Sequence, residues 1–215
     1  MDLVTEPQDA HAIDLLDREA LVRGGNGVFK AIYERRAIRV YSSGAVSHSQ
    51  IGALIDAAIH APSAVNAQPW GFVVIKDPRL LDRYAKEAKA LLLAEPAPPE
   101  VTNSELPDLD RLRQMVSAPG YALFHGAGTL IVIYATNAGG VPDCFLAAQN
   151  LMLGAWALGL GTCPIGLATP LFNRDEVKKE LDVPTDWRAA LPIVVGHPAG
   201  AVPTSSRRPA VVTWR

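Results

Sequence analysis

A chain of 215 residues, 49% apolar and 20% charged, is long enough to enclose one substantial core, and its composition excludes a disordered or fibrous protein. A formal net charge of -2 excludes nucleic-acid binding through bulk charge, so any anion site must be assembled locally. No apolar run reaches the roughly 20 residues that span a bilayer, and no basic stretch precedes an apolar one at the N-terminus, so the expectation is a cytoplasmic protein with no membrane partner whose Cys144 and Cys163 stay reduced.

In chain order, residues 1–28 read as an N-terminal extension with a short helix around Ile13 to Leu16, broken by Gly24, Gly25, Asn26 and Gly27. A second helix starts near Phe29, with Phe29, Ile32 and Tyr33 on one face and Arg35 and Arg36 at its end. Ser47 and Gln50 have the spacing of a capping box, and Ile51, Leu54, Ile55, Ala58 and Ile59 follow at helical intervals. Pro62 ends that helix, and the polar stretch to Pro69 is a loop. Trp70 to Ile75, almost continuously apolar, predicts a strand buried on both faces.

The next helix runs from about Pro78 to Leu93, with Leu80, Leu81, Tyr84, Ala88, Leu91 and Leu92 as its apolar side. Glu95 to Glu100 carries three prolines and cannot remain helical, so 94–118 is a surface excursion, either a lid or an ordinary rigid loop. Thr129 to Tyr134 is a strand. Pro142 to Leu158 is a largely apolar helix stopped by Gly159 and Gly161, and Phe145, Leu146, Leu151 and Trp156 leave it little solvent face. It belongs inside the core or across a dimer interface. Asn173 to Glu176 resembles a second capping box, Leu191 to Val195 is a strand, and Val211 to Trp214 one more in a C-terminal tail over 197–215. Helices first, then three or four strands interspersed with helices, fit one α+β domain over 1–215 better than a doubly wound sheet.

Arg35, Arg36 and Arg39 form one basic cluster, and Arg207 and Arg208 another. Their planar forks suit phosphate oxygens, although solvated surface charge is the alternative. In the loop, Ser63, Asn66 and Gln68 offer hydroxyl and amide groups to a polar heterocycle or polyol, or else bond internally in a tight turn. The spacing of cysteines and histidines suggests no metal site, no nucleophile is paired with a base, and neither a dinucleotide glycine fingerprint nor a phosphate loop is present.

The run Glu34-Arg35-Arg36-Ala37-Ile38-Arg39-Val40-Tyr41 resembles the arginine-rich signature of the nitroreductase-like flavoproteins. Pro62 to Trp70 resembles their flavin-contacting loop, and Gly159 to Gly166 (GLGTCPIG) the segment beside the flavin ring. Ser206-Arg207-Arg208-Pro209, beyond a strand ending Val194-Val195-Gly196, completes the family order.

The resemblance implies a three-layer α+β fold, a mixed central sheet flanked by helices, in a homodimer with two FMN sites at the subunit interface. Arg35, Arg36 and Arg39 would serve the phosphate and ribityl side, and Arg207 would be the second phosphate ligand. Pro62, Ser63, Ala64, Asn66 and Gln68 would form the loop, with Ser63 and Asn66 reaching the flavin from the partner subunit. Pro164, Ile165 and Gly166 would lie against the ring, the Gly166 amide donating to N5. Ser205 departs from relatives that carry a second basic residue there. No catalytic side chain is implied, because FMN carries the chemistry. NADH or NADPH would be the transient donor, and a nitroaromatic, a quinone or a related small organic molecule the acceptor, in a ping-pong cycle. Specialised flavin enzymes (an enone reductase, a dehalogenase, a flavin-fragmenting enzyme) and a noncatalytic FMN-binding protein are the alternatives. Cys163 is a core thiol or a redox-tuning group. Tyr84, Tyr121 and Phe124 either contact the acceptor or pack the core.

Overall fold

The computed structural model describes residues 27–94, 109–202 and 204–215; the expected helix near Ile13 and the proline-rich stretch 95–100 lie outside them. The helices are Gly27–Glu34 (α1), His48–Ile59 (α2), Pro78–Ala94 (α3), Leu109–Ser117 (α4), Val141–Ala157 (α5), Thr169–Phe172 (α6) and Asp175–Glu180 (α7). The strands are Trp70–Ile75 (β1), Thr129–Ala135 (β2), Gly161–Pro164 (β3) and Arg188–Gly196 (β4), and single 3-10 turns occupy Ala64–Asn66 and Gly166–Ala168.

The strands lie in the order β1-β2-β4-β3, each antiparallel to its neighbour. A single parallel bridge, Ala37 to Thr162 on the free side of β3, makes the sheet mixed. Period-two alternation along β2 divides the core. Ile131, Ile133 and Ala135 pack with α2 and α5 on one face, while Leu130, Val132 and Tyr134 pack with α3 and α6 on the other. A bulge between Ile133 and Tyr134 skips Ala190, which lets Ala190 and Leu191 share the α5 face. Pro192 sits in the interior strand β4 but just past the end of β3, where its carbonyl accepts from Ile165 N at 2.8 Å, so its missing N–H costs no ladder bond.

The capping box at α2 forms: Gln50 N donates to Ser47 Oγ at 3.1 Å, and Ser47 N donates to Gln50 Oε1 at 2.9 Å. Several expectations are corrected. Strand β1 is half-buried, not buried on both faces, because it is an edge strand. Residues 109–117 of the supposed excursion are helical. The second capping box does not form, since the Asn173 amide donates to the carbonyls of Thr169 (3.1 Å) and Ala189 (3.2 Å) and accepts from Ala189 N (2.9 Å), tying α6 to β4. Val211 to Trp214 makes no strand and lies exposed in the extended tail. Helix α5 buries Cys144, Ala147, Ala148, Leu151, Met152 and Ala155, yet Phe145 and Leu146 remain 48% and 46% exposed.

What positions the site is the extended stretch after α1. Ile38 N donates to Thr162 O (2.9 Å), Ser42 N to His197 O (2.9 Å) and Ala199 N to Val40 O (3.0 Å), and the Tyr41 hydroxyl locks the Ile38 carbonyl at 2.7 Å. Ile38 lies over Gly161 and the Tyr41 ring over Gly196; a Cβ on either glycine would meet its neighbour at 2.8 Å. Alanine at Gly161 overpacks this seam, and the expected result is a loss of roughly 1–3 kcal/mol in urea denaturation. A loss of less than a few tenths would mean that the stretch is free to lift.

Candidate functional site

The seam aligns Arg35, Arg36 and Arg39 along one edge of a cavity of about 380 Å³, which Pro164, Ser205 and Arg207 also line. No acidic side chain lines it. The Arg35 guanidinium is held below its ordinary range, first by burial and then by the charges of Arg207 and Arg36, and its buried Nε has no hydrogen-bond partner. Crowding like charges around an unpartnered buried donor is costly in the bare protein. The donor set suits a phosphate-class anion, which would relieve both penalties.

The four arginines are not equivalent. Arg36 folds back, donating from Nη1 to Tyr33 O (2.7 Å) and Arg35 O (2.8 Å), and so closes the C-terminus of α1. Arg207 donates to Ser205 Oγ and to Ser206 O (3.0 Å). Ser205 thereby helps to orient Arg207. The Cys163 thiol donates to Pro164 O at 3.6 Å, and the charge of Arg39 acts on Cys163, Tyr41, Tyr121 and His125. Cys163 lies between the two ends of the cluster: burial pushes its thiol up, and Arg39 and Arg35 pull it down. Both cysteines are free and buried; burial, then Asp143, raises Cys144 to about 11.

The loop at Ser63 is not brought to this cavity within one chain. Its backbone sits at the start of α5, where Ala64 N donates to Asp143 Oδ2 at 3.3 Å. Met152, which lines the arginine cavity, is nine residues further along that helix, about 13 Å at 1.5 Å per residue. Ser63 Oγ accepts from Gln68 N at 2.9 Å, an internal bond, while the side-chain amides of Asn66 and Gln68 bond to no described residue. Val65, Asn66 and Gln68 all have left-handed backbones (φ 49°, 57° and 48°), and the β-branched Val65 is 98% exposed. Such strain outside glycine marks a loop held for a purpose.

Among the ring-side residues, Pro164 lines the cavity, Ile165 is buried in the core, and Gly166 is exposed with nothing within 4 Å of where a Cβ would stand. Tyr84 and Phe124 are core residues; Tyr84 donates to Glu180 Oε2 at 2.9 Å and meets Phe172 edge-on. Only Tyr121 of those three aromatic residues stays half-buried. The edge-to-face pairing of Tyr121 with His125, ring centroids 6.2 Å apart, and the effect of the Arg39 charge on both follow from the fold and from no sequence motif. Among the described residues no cluster of acidic, histidine or cysteine side chains could hold a metal, and no helix is long and apolar enough to cross a membrane.

Fold and cavity together define a layered α+β domain with a cavity lined by Arg35, Arg36, Arg39 and Arg207. The family model for the nitroreductase family matches residues 32–197, and the chain belongs to that family. An NADH dehydrogenase of Thermus thermophilus is 30% identical over 200 residues, covering 86% of this chain and 94% of its own. Among solved structures, an FMN-dependent nitroreductase from Clostridium difficile superposes with a TM-score of 0.67 at 25% identity, and a nitroreductase with bound FMN from Bacteroides fragilis with 0.73 at 20%. Each comparison covers 87% of this chain and 98% of the other.

Val65→Gly removes the left-handed penalty of a β-branched residue at the loop tip. Thermal unfolding should show a gain of roughly 0.5–1 kcal/mol, the strain relief less the entropy cost of glycine. A lower melting temperature would mean that the loop is not strained there.

Proposed function

We propose that the chain is an FMN-dependent oxidoreductase that carries electrons from NADH or NADPH to a small organic acceptor of the nitroaromatic or quinone class, by a ping-pong cycle and as a homodimer. The observation that carries this reading is the arginine cavity, in which Arg35 lacks a partner while crowded by Arg36 and Arg207. Arg35 and Arg207 hold the phosphate. Arg36 adds charge from its fixed place on the end of α1, and Arg39 serves the ribityl and ring side, next to Cys163. Pro164, Ile165 and Gly166 form the wall against the ring, with the open Gly166 amide available to N5.

When bound, FMN supplies hydride acceptance and return, which explains why no acid-base pair is needed in the protein. Two features support a dimer whose partner completes the site: the strained loop carrying Ser63 and Asn66 is remote from the arginines of its own chain, and Phe145, Leu146 and Ile32 are large apolar side chains left exposed. Pro62, Ala64 and Gln68 shape that loop for the neighbouring subunit. The free thiols Cys144 and Cys163 suit a reducing, cytoplasmic setting.

Arg35→Ala and Arg207→Ala should each weaken FMN binding by roughly 10- to 100-fold, the worth of a charge-assisted hydrogen bond, in a fluorescence titration of the apoprotein. Unchanged affinity in both variants overturns the phosphate assignment. Anaerobic addition of NADH or NADPH should bleach the bound flavin before any acceptor is present, and a quinone should restore it. A flavin that neither donor bleaches makes the chain a noncatalytic binder, and bleaching that requires acceptor first excludes the ping-pong order.

A further inference from the structure

A second cavity, of about 420 Å³, shares Arg35 and Arg36 with the first and takes the rest of its wall from the C-terminal end of α5 and the root of the tail. Its volume falls within the roughly 300–1,000 Å³ of small-molecule sites. The local chain path creates it. Gly159 adopts a left-handed backbone (φ 70°), and Gly159 N and Leu160 N donate to Trp156 O (3.0 Å) and Ala155 O (2.8 Å), so the chain turns sharply from α5 into β3. Trp156 and Leu160 then form one apolar wall, Ile38 of the extended stretch another, and Pro198 with Val202 a third. Ile38 and Leu160 are buried, whereas Val202 is 54% exposed, so the cavity meets solvent beside the tail.

Polar groups interrupt this lining in a particular way. In the β3–β4 register Thr162 stands opposite Val195 and Cys163 opposite Val194. Val195 belongs to the core on the α5 face and Val194 to the core on the other, so Thr162 turns its side chain towards α5 and the cavity, and Cys163 turns away. Thr162 is only 2% exposed, and its hydroxyl bonds to no described residue. A buried hydroxyl without a partner carries an uncompensated desolvation cost, as does the buried Nε of Arg35. A guanidinium has five N–H donors in one plane, so Arg35 can serve both cavities that it lines. Arg36 is fixed at the end of α1 by its bonds to Tyr33 O and Arg35 O, which keeps its charge at the same wall. Glu34 also lines the cavity but is exposed, and the charges acting on Arg35 are those of Arg207, Arg36 and Cys163.

We infer that this cavity is a second ligand site, separate from the phosphate cavity, which takes a small apolar carboxylate. The hydrocarbon body packs against Trp156, Leu160 and Val202, and the carboxylate accepts hydrogen bonds from the Thr162 hydroxyl and the Arg35 guanidinium. The site goes beyond the oxidoreductase reading and needs no electron transfer.

Octanoate is the probe, with hexanoate, 1-octanol and octylammonium controlling for length, charge and sign. Calorimetric titration of the FMN-loaded protein should show one octanoate bound per chain. Hexanoate should bind at least ~10-fold more weakly, at roughly four-fold per buried methylene. Octanol and octylammonium should each be weaker by ~10-fold or more, lacking the anionic acceptor. Thr162→Val, equal in size without the hydroxyl, should weaken octanoate roughly 10-fold. Val202→Trp, at an exposed position, should block the cavity, abolish octanoate binding and leave FMN affinity as it was. The absence of saturable octanoate binding overturns the proposal, and so does octanoate affinity unchanged in both variants. Octylammonium binding as tightly as octanoate also overturns it, since Glu34 would then set the preferred charge. Mole-for-mole release of FMN by octanoate puts the acid in the phosphate cavity and overturns it too. Should the chain take up no FMN, the same titrations are run on the protein as purified, so the cofactor reading and this site fail separately.

Discussion

The arrangement of this site depends on one close approach: the extended stretch Ala37 to Tyr41 lying against the side of the sheet where Gly161 and Gly196 present no side chain. Backbone bonds from Ile38, Ser42 and Ala199 give the stretch its register, and Ile38 and Tyr41 fill the space over the two glycines. Arg35 precedes it and Arg39 lies within it, so their positions follow from a backbone ladder rather than from side-chain contacts alone. Arg207 arrives from the tail, whose root is held to the same stretch by the Tyr41 to Pro198 bridge. Two distant arginine clusters converge because one extended segment binds both the sheet and the root of the tail.

Electrostatics then explains why this convergence has a use. Without an anion, Arg35 carries two nearby like charges and a buried unpaired Nε, an arrangement that lowers its proton affinity. Such an arrangement is costly in the bare protein, and its chemistry suits a doubly charged anion better than a neutral ligand. Arg36 donates to Tyr33 O and Arg35 O, and Arg207 to Ser205 Oγ and Ser206 O, so the arginines that line the cavity are held in different ways.

Much of the fold was legible in local chemistry. The Ser47 and Gln50 cap, the period-two run of β2 and the apolar α5 each follow from forces acting within a few residues. Strand β3 was not legible, because Gly161 and Pro164 read locally as breakers; as an edge strand pairing only Ile193 to Gly196 it tolerates both, and the glycine is required by Ile38. The Asn173 cap failed for a tertiary reason, since three bonds to Thr169 and Ala189 outcompete one helix-end amide. At the site, the arginines were visible as residue types, but their different roles were not. Arg36 was legible as a residue at a helix end, but its bonds to Tyr33 O and Arg35 O were not, and nothing near His125 in sequence points to the charge of Arg39.

The two strained turns bear on how the site is completed. Left-handed backbone costs most at the β-branched Val65, roughly 1–2 kcal/mol, and less at Asn66 and His125, whose residue types adopt it more readily. Both turns are anchored by buried neighbours, Pro69 in the first and Leu123 and Phe124 in the second, so the sheet and its packed helices hold them in place. Yet the turns present their groups differently. His125 and Tyr121 pack their rings against each other, whereas the side-chain amides of Asn66 and Gln68 bond to no described residue, on a loop rooted at Asp143, nine residues along α5 from the cavity's Met152. A strained loop whose side-chain amides find no described partner, rooted at the start of the helix that leaves Phe145 and Leu146 exposed, is held in shape by its own bonds, Gln68 N to Ser63 Oγ among them, and not by any contact of the amides it displays.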